Sequence, residues 1–156
     1  MSKHTATIEW TANGPDFRKG QYSREHSWRF DGGAILQASP APSVVPVPWS
    51  NPALIDPEEA YVASLSSCHM LTFLWLAGRA GYDIAHYQDT AVGEMRKNER
   101  GIPWVAVVTL QPRIEWIGQK QPDAAAIDRL HHAAHEQCFI ANSVKTEIVI
   151  LAPAGC

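Results

Sequence analysis

Hydrophobic and polar residues alternate in the first part of the chain with the period of a β-strand. This alternation covers Thr5 to Thr11 and again Gln21 to Phe30. Asp31-Gly32-Gly33 then supplies turn residues before a short apolar run from Ala34 to Leu36. The pattern predicts that the chain opens as an antiparallel β meander.

A proline-rich loop separates this meander from a long helix. Residues Ser39 to Asn51 contain four prolines, which remove amide donors and favour extended backbone. Asp56-Pro57-Glu58-Glu59 then provides an N-cap acid, a proline suited to the first helical position, and acidic residues that favour a helix N-terminus. We predict a helix that runs to about Ala80 and ends at Gly81.

The predicted helix is apolar enough to raise the question of a membrane span. Ala60 to Gly78 has nearly the length that crosses a bilayer. Serine, threonine and histidine side chains interrupt it, however, so we expect a helix buried on nearly all sides in a protein core and no membrane partner.

The second half of the chain predicts a hairpin, a helix and a final strand. Strands near Tyr87 to Lys97 and Trp104 to Trp116 flank a polar turn, and a helix from Pro122 to about Cys138 precedes a β run from Val144 to Leu151. This order predicts an α+β fold in which helices lie on one side of an antiparallel sheet. The length favours one domain over residues 1–156.

Composition narrows the possible partners and compartments. A net charge of -3 with no basic run argues against nucleic acid. The first residues show no apolar secretory segment, so we expect a cytoplasmic protein. The chain has three cysteines. In a reducing compartment a disulfide between any two of them would be transient and redox-active.

Two of these cysteines lie on the predicted helices. Cys68 is in the middle of the apolar helix, where a lone cysteine is usually just a small hydrophobic residue. Cys138 shares one helical stripe with Ile127, His131 and Ala134, so its thiol is expected to face the core. Packing of the two helices permits the two thiols to meet, although the sequence alone does not require it.

The same residues permit a second interpretation as a metal site. His131, His135 and Cys138 share a helical face and could bind zinc with Cys68 as a fourth ligand. Structural zinc sites usually contain closely spaced cysteine pairs, which this chain lacks. We therefore expect no metal and no cofactor.

A nucleophilic thiol also needs a group that favours its charged form. An ordinary cysteine, with a pKa near 8.5, is only about 3% thiolate at neutral pH. Candidate cations in the N-terminal meander are Arg18, Arg24 and Arg29. Arg24 and Arg29 have opposite strand parity, so only one of them can point toward the helix from a regular strand.

The spacing of these residues resembles that of the OsmC/Ohr family of peroxidases. Glu58, in a Pro-Glu pair, lies ten positions before Cys68, and Cys138 lies seventy positions after it in a His-Glu-Gln-Cys sequence. Asn142-Ser143 follows. The sequence departs from many members by having Phe139 in place of proline and by having His69 after Cys68.

The resemblance implies roles for the site residues. Cys68 would be the peroxidatic cysteine that reduces organic hydroperoxides, and Cys138 the resolving cysteine that closes a disulfide with it. An arginine, Arg24 before Arg29, would stabilise the thiolate, and Glu58 would hold that arginine. A dithiol such as a lipoylated protein would be the reductant.

The resemblance also implies an intertwined homodimer. Ten residues of unbroken helix would separate Glu58 from Cys68 by about 15 Å, too far for one arginine to touch both easily. Either the helix starts late or bends, or the arginine contact comes from a second chain. C-terminal Cys156 is expected to be incidental.

Apolar residues near the cysteines could form an entrance for bulky hydroperoxides. The residues proposed for it are Trp49, Met70, Phe73, Leu74 and Phe139. The alternative hypothesis is a non-enzymatic, redox-sensing dimer of the same fold that binds a hydrophobic ligand or a metal.

Overall fold

The computed structural model describes residues 2–151, so Cys156 lies outside the described residues. The chain divides into two compact units with the boundary between Ala60 and Tyr61. This division does not test the prediction of one domain over residues 1–156, because one domain can contain two compact units.

The first unit contains a three-stranded antiparallel sheet. Its strands are β1 (Ala6–Glu9), β2 (His26–Phe30) and β3 (Ile35–Ala38), in the order β1-β2-β3. The predicted meander is therefore confirmed. The middle strand is shorter than predicted, since residues 22–25 are not part of it.

The shortened strand has a local cause in the hydrogen bonds that replace the ladder. The Ser23 amide donates to the side chain of Asn13 at 3.0 Å. The Arg24 amide donates to the carbonyl of Trp49, also at 3.0 Å. Backbone donors that are committed to loops cannot pair with a neighbouring strand. The alternating pattern of residues 21–25 therefore does not produce a strand.

Helix α1 (Pro57–Arg79) starts and ends where the sequence predicts. At its start, the Glu59 amide donates to the Asp56 carboxylate at 2.7 Å, and the Asp56 amide donates to the Glu59 carboxylate at 3.1 Å. This reciprocal capping box satisfies two backbone donors. After the helix, Gly81 adopts φ +78°, the left-handed conformation typical of a C-terminal cap.

The burial of α1 differs from the prediction. Its buried residues form a single stripe at four-residue spacing, namely Leu65, His69, Phe73 and Ala77. The expectation of a helix buried on nearly all sides is therefore wrong for the single chain. By length and composition α1 alone could cross a membrane, a test that core helices of soluble proteins also pass.

In the second unit, the region of the predicted hairpin contains four strands where the sequence predicts two. They are β4 (Asp83–Asp89), β5 (Val92–Lys97), β6 (Pro103–Leu110) and β7 (Pro112–Ile117). β5 pairs with β6 and β4 pairs with β7, both antiparallel. The predicted hairpin is therefore present, but each of its strands is broken near the middle.

Asp89 explains the break in both strands. Its Oδ1 accepts a hydrogen bond from the Gln111 amide at 2.6 Å, and its Oδ2 accepts one from the Ser66 hydroxyl of α1 at 2.5 Å. The carboxylate thus takes a backbone donor from the position between β6 and β7. It also ties the bend of the hairpin to the middle of α1.

Helix α2 (Ala124–Gln137) and the final strand complete the second unit. Asp123 caps α2 by accepting from the Ala126 amide at 2.7 Å. A short 3₁₀ turn (Ala141–Ser143) leads to β8 (Glu147–Ile150), which pairs with β6 in parallel. This pairing departs from the predicted all-antiparallel sheet, and the long connection through β7 and α2 makes it possible.

The stripe of α1 contributes to two clusters of buried side chains in the second unit. Leu65 packs with Val108 and Leu110 of β6. Phe73 and Ala77 pack with Ala134 of α2. One face of α1 therefore packs on β6 at one end and on α2 at the other.

We predict that Gly93→Ala destabilises the protein, because α1 lies close to β5 at this glycine. A Cβ at position 93 would lie 2.6 Å from Cγ2 of Val62, closer than side chains approach in native cores. The expected loss is about 1–3 kcal/mol in the free energy of unfolding, measured by urea denaturation.

Gly78→Ala is the matched control, because a Cβ at position 78 meets nothing within 4 Å. Alanine is also favoured over glycine in a helix by up to about 1 kcal/mol. Equal unfolding midpoints for the Gly93 and Gly78 variants would contradict the close-packing argument.

Candidate active site

The structure brings the two predicted cysteine thiols together. Cys68 lies in the middle of α1 and is partly exposed, and Cys138 directly follows α2 with 0% exposure. No disulfide joins them, and the two side chains are close enough for Cys68 to affect the pKa of Cys138. The contact between these two helices therefore places an accessible thiol against an inaccessible one.

The turn after α2 directs two backbone amides at the sulfur atoms. The Ile140 amide donates to Sγ of Cys68 at 3.5 Å, and the Ala141 amide donates to Sγ of Cys138 at 3.4 Å. Amide donors favour negative charge on the atom that accepts from them. These donors could not be predicted from the sequence, because backbone groups leave no signal in residue identity.

Burial makes Cys138 the thiol that keeps its proton. The pKa of Cys138 is raised to about 11, mainly by burial and also by the neighbouring Cys68 side chain, while hydrogen bonds from the amides of Ala141 and Ile140 partly oppose the shift. Cys68 is the partly exposed thiol of the two and accepts the Ile140 amide, so it is the sulfur that a reactant from solvent can meet.

Cys68 opens into an apolar groove of about 950 Å³. The groove is lined by Ser64, Ser67, Cys68, Leu71, Thr72, Trp75, Glu136, Gln137, Phe139 and Asn142. Phe139 is 83% exposed there. The open side of the site is therefore mainly hydrocarbon.

Of the residues predicted for an apolar entrance, Phe139 lines this groove. Phe73 does not, because it is buried in the α1–α2 cluster, and Met70 and Leu74 are not in the lining. Leu71 and Trp75 take their place. They follow Cys68 by three and seven positions, so a helical projection centred on Cys68 would have selected them.

Next to the thiols, two histidines form a buried pair between α1 and α2. Nε2 of His69 and Nδ1 of His131 are 3.0 Å apart, and the stacked rings have centroids separated by 5.4 Å. The exposed fractions are 2% for His69 and 4% for His131. His69 had no predicted role, and His131 was predicted to be either a core residue or a metal ligand.

Both imidazoles are kept neutral by their surroundings. The pKa of His69 is lowered to about 4, mainly by burial and also by charge on His131 and His135, against the opposing effect of Asp89. Burial also lowers the pKa of His131 to about 4. Within residues 2–151, no group of three or more histidine, cysteine or acidic side chains is placed to hold a metal ion.

The predicted arginine and glutamate lie in the first unit. The Arg24 guanidinium stacks 3.8 Å from the Tyr22 ring centroid and donates to the carbonyls of Gly20 and Tyr22 at 2.6 and 2.7 Å. Arg29, the second candidate, pairs with Glu9 at 3.3 Å on the sheet surface.

Glu58 lies in the first turn of α1, and α1 is continuous from there to Cys68. Ten residues of helix separate the two by about 15 Å along the axis. A late helix start is therefore wrong, and no break in the helix shortens this distance. The catalytic roles of Arg24 and Glu58 stay predictions.

A comparison with protein-family models identifies the chain. The model described as OsmC-like protein matches residues 51–151, about two thirds of the chain and nearly all of the second unit. The chain belongs to the OsmC family. No curated protein matches it in sequence.

Solved structures of OsmC-like proteins share this fold. An OsmC-like protein of unknown function from Vibrio cholerae is 48% identical, with a TM-score of 0.94 over 97% of this chain and 99% of that one. An organic hydroperoxide resistance protein from Legionella pneumophila is 12% identical, with a TM-score of 0.70 over 97% and 96%. The organic hydroperoxide resistance protein OhrB of Bacillus subtilis is 19% identical, with a TM-score of 0.63 over 95% and 97%.

These comparisons confirm the predicted α+β, OsmC-like fold. The Legionella and Bacillus proteins support the fold alone, because their sequence identities are low. The intertwined homodimer stays a prediction.

We predict that the stability of this OsmC protein falls as the pH drops from about 6.5 to about 4. The unfolded chain binds protons on both histidines near pH 6.5, whereas the folded chain binds them only near pH 4. Folding is therefore penalised in this window, by on the order of 3 kcal/mol for each imidazole at the acid end. Urea unfolding at several pH values measures the loss.

The double variant His69→Leu/His131→Leu should lose this part of the pH dependence, whereas His132→Ala should keep it, because His132 is exposed. A pH slope unchanged in the double variant would show that the buried pair is not its source.

Proposed function

We propose that this protein is a thiol-dependent peroxidase that reduces organic hydroperoxides to alcohols. The observation that supports it is the contact between two unequal thiols: Cys68 opens into an apolar groove, and Cys138 is fully buried against it. A peroxidatic cysteine must meet substrate, whereas a resolving cysteine need only meet the oxidised sulfur. The names of the Legionella and Bacillus proteins point to the same substrates.

The proposed reaction has two steps in the protein. The Cys68 thiolate attacks the distal oxygen of the hydroperoxide, the O–O bond breaks, and the alkoxide leaves with a proton as the alcohol. Sulfur loses two electrons and becomes a sulfenic acid. Cys138 then attacks this sulfur, water leaves, and a Cys68–Cys138 disulfide forms.

A dithiol closes the cycle by thiol–disulfide exchange. It returns both cysteines to thiols and is itself oxidised to a disulfide. A lipoylated protein is the reductant that family resemblance suggests, and the cytoplasm is the compartment that keeps such dithiols reduced.

The composition of the groove favours hydroperoxides with a hydrocarbon group over hydrogen peroxide. Leu71, Trp75 and Phe139 offer apolar surface beside Cys68 that a small polar substrate cannot use. Burial of an alkyl chain contributes about 0.8 kcal/mol for each methylene group. The preference is therefore expected to grow with alkyl length until the groove is filled.

We also propose that the working form is a homodimer with shared sites. Because α1 is unbroken from Glu58 to Cys68, one arginine cannot reach both residues of the same chain easily. A site that combines Glu58 of one chain with Cys68 of the other removes this difficulty. Arg24 is the arginine proposed to join them.

Exposed apolar surface in each unit supports this assembly. In the first unit, Ile8, Trp28 and Leu36 are cross-strand neighbours on one sheet face, and Ile8 and Leu36 are exposed. In the second unit, Leu71 and Trp75 of α1 are exposed. Apolar patches of this kind commonly mark interfaces between subunits.

The peroxidase proposal predicts distinct outcomes for the two cysteine variants. Reduced wild-type protein should consume cumene hydroperoxide and gain a Cys68–Cys138 disulfide, detected by peptide mass mapping. Cys68→Ser should abolish the reaction. Cys138→Ser should consume about one equivalent and stop at the sulfenic acid, because no resolving thiol remains.

If the Cys68→Ser variant consumes cumene hydroperoxide at the wild-type rate, the proposal is wrong. Wild-type protein that binds an apolar fluorescent probe in the groove without consuming hydroperoxide would instead favour the alternative function as a hydrophobic-ligand-binding protein. Hydrogen peroxide serves as the substrate control and should react more slowly than cumene hydroperoxide.

Mixed dimers test whether Glu58 acts on the Cys68 of its partner. Glu58→Gln and Cys68→Ser homodimers should both be impaired, the first by roughly tenfold through loss of the charge that orients the arginine. A heterodimer of these two chains should recover about half of wild-type activity, because one of its two symmetric sites is intact.

A heterodimer of wild type with Cys68→Ser is the positive control and should show the same activity. If Glu58 acts within its own chain, the mixed variant dimer has no intact site and stays as impaired as its parents. Differently tagged chains and two-step affinity purification isolate the heterodimers.

A further inference from the structure

The segment from Cys138 to Ser143 has an unusual distribution of hydrogen bonds. Within it, the carbonyls of Cys138, Phe139 and Ile140 all accept: Cys138 O from the Asn142 amide at 3.0 Å, Phe139 O from the Ser143 hydroxyl at 2.7 Å, and Ile140 O from the Ser143 amide at 3.0 Å. The amides of Ile140 and Ala141 are directed at sulfur instead. The turn therefore satisfies its acceptors internally and offers two donors to the thiols.

Asn142 is the side chain that holds this turn against α2. Its Nδ2 donates to the carbonyl of Glu136 and to the carbonyl of Cys138, both at 2.9 Å. One carboxamide therefore joins the last turn of α2 to the turn that follows it. Both partners are acceptors, so only the NH₂ group of the side chain fits this position.

We infer that Asn142 is a positioning residue that aims the Ile140 amide at the Cys68 sulfur and the Ala141 amide at the Cys138 sulfur, so that the Ile140 amide forms an anion site for the Cys68 thiolate and for the oxidised sulfur that follows. The inference deepens the proposed peroxidase function and rests on it for its catalytic meaning. Asn142 acts through the backbone and has no step of its own in the reaction.

The geometry explains why a positioning residue is needed. The two N–H···S contacts are 3.5 and 3.4 Å long, and hydrogen bonds to sulfur lose strength quickly when the donor turns away. The turn has only three residues of 3₁₀ helix to stabilise it. Loss of the Asn142 clamp would let the amides rotate without disturbing the core contacts of α1.

The test uses reaction of Cys68 with iodoacetamide across a range of pH, followed by mass mapping of the Cys68 peptide. In Asn142→Ala the alkylation profile should move to higher pH, and the rate at pH 7 should fall by about 3- to 10-fold, as expected for one weakened hydrogen bond. Hydroperoxide consumption should fall by a similar factor. Asn142→Asp, which keeps the side-chain shape and removes the donor, should behave alike.

Asn98→Ala is the matched control in the same unit. Asn98 also holds a turn by side-chain contacts, since its Oδ1 accepts from the amides of Arg100 and Ile102 at 3.0 Å. The Asn98→Ala substitution should lower thermal stability and leave the Cys68 alkylation profile unchanged. If loosening any turn shifted Cys68 reactivity, the alkylation profiles of the Asn98 and Asn142 variants would both move.

If both Asn142 variants show the same Cys68 alkylation profile as the wild-type protein, the inference is wrong, even if the wild-type protein consumes hydroperoxide. If wild-type protein consumes none, the peroxidase proposal fails. A shifted alkylation profile in the Asn142 variants would then still establish the anion site. The two failures are therefore distinguishable.

Discussion

The packing of α2 against one stripe of α1 is the contact on which the thiol site depends. His69 meets His131, and Phe73 and Ala77 meet Ala134, so the position of one helix along the other is set by buried shapes. Cys68 and Cys138 lie beside these contacts, so the same packing sets the positions of their sulfur atoms. A change in this register would separate the sulfurs and move the amide-bearing turn away from both.

Much of the site could be predicted from local sequence. Helix α1 has a capping box and a terminal glycine, and α2 has an aspartate cap, so the ends of both helices follow from short patterns. The helical stripe that contains His131 and Cys138 predicted an inward thiol. Glu58, Cys68 and Cys138 were singled out together only through their family spacing, since each residue alone is an ordinary core or surface residue.

The remaining features depend on contacts between distant residues. Asp89 breaks two strands by accepting from Gln111 and Ser66, which no alternation pattern reveals. The parallel partner of β6 is the last strand of the chain, brought back by a long connection. The incomplete burial of α1 was unexpected because an apolar helix is compatible with burial by its own chain or by a second one.

The contact between Cys68 and Cys138 in the reduced protein has a consequence for its survival under stress. A sulfenic acid on Cys68 would form with its thiol partner already adjacent, so no segment would have to unfold or travel before the disulfide closed. A second oxidant would have to enter the groove from solvent in the same interval. Under the proposed chemistry, disulfide formation is therefore faster than irreversible oxidation of Cys68 to sulfinic acid. A reductant can then return the protein to its dithiol form even at high oxidant concentrations.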